Sequence, residues 1–221
     1  MKIRDIPQSG SQGNIVSYKT RYGLVRRRKV TPKDPRTPVQ VERREAFQRA
    51  RAFWGTLTDE QRLAWHRTAA GRRTRAVLNQ SGPLSGYLLC VKINYNLAVL
   101  GLPMMAEPAP APTFDADPVE KLVITGTADA IALKLKLSGK PVQYTIVLAA
   151  KPQPPGVSYV DHFTIIGLLP DPNRGLSEIT GLFVEKYGAP KPGTRIFIRT
   201  IQQINGWRGR PKQFSALVPA A

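Results

Sequence analysis

The sequence predicts an α+β protein in which a basic N-terminal arm and a small helical domain precede an antiparallel β-sandwich. Three observations carry this expectation. Apolar residues recur at three- and four-residue spacing between Thr37 and Leu100. Prolines then crowd the stretch 103–118, and from Val119 the apolar period falls to two. A chain of 221 residues with 42% hydrophobic side chains can fill a core, which argues against wholesale disorder. These shifts divide the chain into an arm (1–36), a helical domain (37–102), a linker (103–118) and a sandwich (119–221).

The arm has little apolar material of its own. Asn14-Ile15-Val16-Ser17-Tyr18-Lys19 reads as a strand that turns at Tyr22-Gly23 into Leu24-Val25-Arg26. A lone two-stranded hairpin is marginal in water. Pro32, Pro35 and Pro38 keep the connection that follows extended. Residues 1–36, as an extended arm or β-hairpin, are therefore expected to order against a neighbour.

Thr37-Pro38-Val39-Gln40 has the residues of a capping box with proline at the first helical position. The helix it opens should run to Phe53 or Trp54, bury Phe47, Ala50 and Trp54, and break at Gly55. Thr58-Asp59-Glu60-Gln61 is a second capping box, opening a helix through Leu63 and Trp65 towards Gly71. A short connection makes the pair an αα-hairpin, with Trp54 and Trp65 near its closed end. A third helix is expected from Leu84 to Leu100. Its stripe is Leu84, Leu88, Val91, Tyr95 and Ala98, and Gly101 and Pro103 stop it.

Five prolines in the sixteen residues 103–118 describe a semi-rigid spacer. Beyond it, Ile131, Leu133, Leu135 and Leu137 alternate with Ala132, Lys134 and Lys136. Val142, Tyr144, Ile146 and Leu148 repeat the pattern after a turn at Ser138-Gly139-Lys140-Pro141. Further strand candidates are Lys121–Thr125, His162–Leu168, Ile179–Lys186, Arg195–Gln202 and Gln213–Val218. About seven short strands punctuated by Gly and Pro fit an antiparallel sandwich.

The net charge is +18, and it is unevenly placed. Residues 1–80 carry 19 Lys+Arg against 6 Asp+Glu, a net +13. The candidate residues for a partner or polyanion are Lys19, Arg21, Arg26, Arg27, Arg28, Lys29, Lys33, Arg36, Arg43 and Arg44. Catalytic chemistry finds no foothold. His66 and His162 fall in different predicted domains, outside any zinc-binding or H-E-x-x-H spacing. Cys90, the sole cysteine, excludes a disulfide scaffold and sits in an apolar helix as a small hydrophobe. Asp115 and Asp117 lie in the proline-rich stretch without supporting ligands and read as a solvated linker. Gly10-x-x-Gly13 lacks the Lys and Ser/Thr of a phosphate loop. No enzyme activity, cofactor or metal is expected. No run of about 18 apolar residues suggests a membrane helix. Residues 1–10 have no apolar segment of a secretory signal, so origin in a reducing cytoplasm, or in a particle assembled there, is expected.

A pattern in the N-terminal half runs from Gly13-Asn14-Ile15-Val16 through Tyr22-Gly23 and Arg26 to Pro35-Arg36-Thr37-Pro38-Val39-Gln40. It continues with Arg43, Phe47, Trp54-Gly55-Thr56-Leu57-Thr58, Gln61-Arg62, Trp65, Ser85-Gly86-Tyr87 and Asn94. Over residues 10–100 this resembles a group of uncharacterised phage and prophage proteins of virion type. The strand pattern of the C-terminal half resembles the immunoglobulin-like or fibronectin type III modules attached to virion proteins. It departs from them in that no Trp lies in an early strand and Trp207 falls near a late turn.

The resemblance implies a structural, non-enzymatic virion component: a capsid decoration or cementing protein, or a connector or tail-associated one. Its partners would be major capsid, connector or tail subunits, with the chain present in multiple copies and the sandwich projecting. The alternative is a nucleic-acid-binding protein whose Arg/Lys cluster lies on phosphates, including those of packaged genome.

Overall fold

The computed structural model describes residues 9–20, 23–74, 81–126 and 131–219. It is α+β, with antiparallel sheets and four helices among the described residues. Two units emerge, Met1–Val91 and Lys92–Ala221. The division falls inside a helix, whereas the sequence suggested 103–118.

In the first unit, β1 (Gly10–Gln12), β2 (Ile15–Thr20) and β3 (Gly23–Arg28) form an antiparallel sheet in that order. Tyr22, at the expected turn, lies outside the described residues. Helix α1 (Pro38–Thr56) follows an extended segment. Thr37 is its N-cap, but the Thr37 side chain makes no capping bond, so the expected box does not form. Nor does Gly55 break the helix; it sits in the last turn. The buried positions of α1 are Ala46 and Ala50, while Phe47 is exposed.

Helix α2 (Asp59–Ala69) has the box the sequence promised. Gln61 N donates to Thr58 Oγ1 at 3.3 Å and Thr58 N donates to Gln61 Oε1 at 3.0 Å. Arg62 then reaches back to the end of α1, donating to the carbonyls of Trp54 (3.4 Å) and Gly55 (3.2 Å). Trp54 lies at the closed end of the pair. Its ring stands edge-on to His66 and Tyr87, with centroids 5.9 and 5.6 Å away, while Trp65 is fully buried. The start of α3 (Gly86–Ala98) is pressed against α2: a Cβ at Gly86 would lie 2.6 Å from His66 N.

The second unit opens with the remainder of α3. Of the expected stripe this helix buries Val91, whereas Leu88 is exposed; the other buried side chains are Leu89, Cys90, Ile93, Asn94, Asn96 and Leu97. The helix does end at Gly101. Leu102 N donates to Leu97 O (3.1 Å) and Gly101 N to Ala98 O (3.2 Å), the paired bonds of a Schellman motif.

The other elements are β4 (Val119–Thr125), β5 (Ala132–Leu137), β6 (Tyr144–Ala149), β7 (Thr164–Leu168), β8 (Leu176–Glu178), α4 (Thr180–Tyr187), β9 (Arg195–Ile204), β10 (Trp207–Arg208) and β11 (Lys212–Leu217). One sheet has the order β4-β5-β8. The other runs β10-β9-β6-β7, with β11 also pairing β9. Alternate residues of both sheets meet in one core: Leu133, Leu135 and Val119 from the first, Val147, Ile196 and Ile198 from the second.

The expected strand Ile179–Lys186 is a helix instead. Ile179, Phe183 and Tyr187 recur every four residues, the spacing of one helical face, and Ile179 and Phe183 are fully buried in the shared core. Strands β8 and β10, of three and two residues, carry too short a pattern to be anticipated.

Residues 103–118 contain no helix or strand, yet they are not a free spacer. Buried Asn94 clamps Met105 through both of its amide atoms, accepting from Met105 N (2.7 Å) and donating to Met105 O (3.2 Å). Trp207 Nε1 donates to Ala109 O at 3.1 Å. Asp117 is no solvated linker residue. Its Oδ2 accepts from Thr200 Oγ1 (2.6 Å) and its Oδ1 from Val119 N (2.9 Å). The segment is a strap laid along β9–β11.

The strap depends on the hairpin it crosses. Asn205 and Gly206 both have positive φ (47° and 78°), the arrangement of a two-residue primed turn that joins β9 to β10. A Cβ on Gly206 would lie 2.7 Å from Ile93 Cγ2 and 2.8 Å from Ile93 O. Gly206 O in turn accepts from buried Asn96 Nδ2 at 2.8 Å. Gly206→Ala combines a strained φ with a backbone clash and should cost at least about 2 kcal/mol in urea unfolding. Asp117→Ala leaves the wholly buried Thr200 hydroxyl without its acceptor and should cost about 2 kcal/mol in the same measurement. Asp115→Ala, which removes none of these bonds, should be close to neutral.

Candidate partner and polyanion interface

The β1–β3 sheet is built on register. Ile15 pairs with Arg28, Ser17 with Arg26 and Lys19 with Leu24. Directly opposed residues share a face, so Lys19, Arg26 and Arg28 stand together with Ile15 and Leu24. The opposite face carries Val16, Tyr18 and Val25 with Arg27, whose guanidinium carbon is 5.4 Å from the centre of the Tyr18 ring. The ladder extends one bond past β3, as Lys29 N donates to Asn14 O at 2.7 Å.

No residue of the three strands is buried. Ile15 is 50% exposed and Leu24 43%, and just beyond the sheet Val30 reaches 76%. The acid-free run is equally marked: residues 6–33 contain no Asp or Glu. The recess on the Lys19 face, about 530 Å³, is lined by Ser9, Gln12, Ser17 and Arg26 among others.

The ten candidate residues do not form one cluster. Lys19, Arg26, Arg27 and Arg28 lie on the sheet, with Arg27 facing away from the other three. Arg21 lies outside the described residues. Lys29, Lys33 and Arg36 follow on exposed extended chain, and Arg43 is half-buried on α1. Arg44 is engaged within the chain. Its Nη1 donates to Asp34 Oδ2 at 2.6 Å and its Nη2 to Asp34 Oδ1 at 3.0 Å, a bidentate pair. Asp34 Oδ1 also accepts from Arg36 N at 3.2 Å, and Arg36 itself adopts a positive φ of 46°. Asp34 thus ties the extended segment to α1, a contact that no local motif announces.

Three other groups weighed in the sequence lie outside the sheet. His66 packs on Trp54, Cys90 is fully buried and Asp117 holds the strap. Among the described residues no group of three or more His, Cys, Asp or Glu is placed to hold a metal ion, and no helix is long and apolar enough to cross a membrane. Comparison of the chain with protein-family models, with curated proteins and with solved structures finds no match.

The hydrogen bond from Arg44 holds the Asp34 carboxyl below its ordinary value of 3.8, and Asp34 in return raises Arg44. A lowered carboxylate value favours the ionised pair. The tie to α1 is therefore complete above about pH 4 and lost as pH falls through the lowered value. In a carbon-detected titration the Asp34 carboxyl should titrate below its ordinary value of 3.8. Arg44→Ala should move it back towards 3.8.

Proposed function

We propose that this protein is a non-enzymatic structural component of a phage-like virion, held to neighbouring capsid, connector or tail subunits by its basic N-terminal sheet. The observation that carries the reading is a three-stranded sheet with no buried residue. Sheets of this size normally gain their stability from an apolar face packed on a core. Here the apolar side chains Ile15 and Leu24 stand in solvent on a strand pair rich in basic residues. A surface that a partner covers accounts for both features. The residue pattern over 10–100 that resembles phage and prophage proteins points the same way.

The C-terminal unit fits the module such a component would present. We read its two antiparallel sheets, with inward side chains from both in one core, as an immunoglobulin- or fibronectin-III-like β-sandwich. The helix α4 and the strap would be elaborations of it. Assembly in the host cytoplasm, multiple copies per particle and residence in the virion belong to the same proposal.

Sedimentation of native lysate with and without nuclease, followed by mass spectrometry, tests it. The protein should migrate with a nuclease-resistant particle that also contains a major capsid or tail protein. Migration as a small species in both samples would refute the reading. Replacing Ile15 and Leu24 by Ser should lower the particle-bound fraction several-fold and leave the melting of the second unit unchanged.

A further inference from the structure

We infer that the recess between the strap and the β10–β11 connection binds a small zwitterion with an apolar body, of the amino-acid or short-peptide class. The site lies wholly in the second unit and is independent of how the first unit is anchored.

The recess originates in register. On β9, Gln203 pairs with Arg208, but Thr200 pairs with Lys212. The three residues Gly209, Arg210 and Pro211 therefore face the two residues Ile201 and Gln202, which is a β-bulge. Bulges bend a strand and re-aim its side chains, and they gather beside functional sites. The strap crosses at the same place. Phe114 lies against Gly209, where a Cβ would come within 3.1 Å of its ring. Strap and bulge enclose about 770 Å³, a size typical of small-molecule sites.

Charge narrows the class of ligand. Asp115 on the strap and Arg210 on the bulge both line the recess, and both are exposed. Among the described residues neither makes a hydrogen bond or an ion pair, with each other or with anything else. The other charged groups of the lining are engaged. Arg208 Nε donates to Gln203 Oε1, Lys212 Nζ to the carbonyls of Val119 and Asp117, and the Asp117 carboxylate accepts from Thr200 and Val119. One available charge of each sign is left. A polyanion would meet Asp115 and a simple cation would meet Arg210, whereas a molecule carrying both an ammonium and a carboxylate satisfies the two together.

The recess also has an orphaned group in its lining. Gln202 is only 3% exposed, yet its Nε2 has no hydrogen-bond partner among the described residues. A buried amide nitrogen without an acceptor is a standing cost to the fold, which a ligand carbonyl or carboxylate would offset. Phe114 and Pro211 offer apolar contact to the ligand's body.

The test is an NMR titration of the isotopically labelled full chain with three probes: the tripeptide Ala-Leu-Ala with free ends, the same peptide acetylated and amidated, and free leucine. A free-ended probe should shift the amides of Gly209 and Arg210 and the side-chain amide of Gln202, saturating with a Kd of about 1 mM or tighter. Asp115→Asn and Arg210→Gln should each weaken it about 10-fold, the loss of one charge-assisted hydrogen bond. Lys186→Gln, on α4 and away from the recess, should bind as the wild type does. All three changes fall on exposed side chains, and matching melting curves establish that the variants are folded.

Saturation by the tripeptide alone upholds the inference and assigns the site to peptides; saturation by leucine as well extends it to free amino acids. No saturation by either free-ended probe below about 10 mM would overturn it. Equal binding of the blocked peptide would do the same, as would variants at Asp115 and Arg210 that bind no more weakly than Lys186→Gln.

Discussion

The second unit is organised around one close approach: the backbone of Gly206 against that of Ile93. Only a residue without a Cβ fits there, and only one at ease with positive φ completes the turn. Asn96 then donates to the Gly206 carbonyl, so the tip of the β9–β10 hairpin is held at two neighbouring points on one helix. With the tip placed, Trp207 comes within reach of Ala109 O, and Gly209 lies under the ring of Phe114. The strap can then settle along the strands and deliver the Asp117 carboxylate to Thr200. The Trp207–Ala109 and Thr200–Asp117 bonds lie downstream of that single approach, whereas Asn94 holds Met105 directly from the helix.

The β1–β3 sheet follows the opposite logic. Its ladder is regular, yet none of the residues in its three strands is buried. Local backbone bonds contribute little net free energy once water competes for the same groups. A sheet with so little apolar burial is energetically suited to change partners. Asp34 moderates this by joining the extended segment to α1, an exposed ion pair of the kind that contributes modestly and is screened by salt.

What could be read from the chain alone was what depends on neighbours in sequence. The Thr58/Gln61 box, the alternation of β5 and the glycine stop after α3 are local signals, and each appears where the residues place it. The α4 segment resembles a strand because Leu182, Phe183 and Val184 make a short apolar run, which strands and buried helices share; the four-residue spacing of Ile179, Phe183 and Tyr187 is the signal that distinguishes them. Asn205-Gly206 is a strong hairpin dipeptide, and it forms the turn between β9 and β10. The strap was beyond reach, because the partners of Asp117 and Ala109 lie more than eighty residues away. For the candidate site, composition located the basic residues well. Register alone sorted Arg27 from Arg26 and Arg28, and only tertiary structure revealed that Arg44 was already paired.

The strap also defines what counts as a portable piece of this protein. A cut at Val119 looks natural, since the strands begin there. It would remove the acceptor from the Thr200 hydroxyl, the carbonyl from the Trp207 indole and the ring from above Gly209. It would also strip away the helical residues on which the β9–β10 turn rests. Anyone transplanting the sheets onto another carrier must move the proline-rich stretch and the last turns of α3 with them, so the graftable cassette begins near Lys92, some twenty-five residues ahead of the first strand.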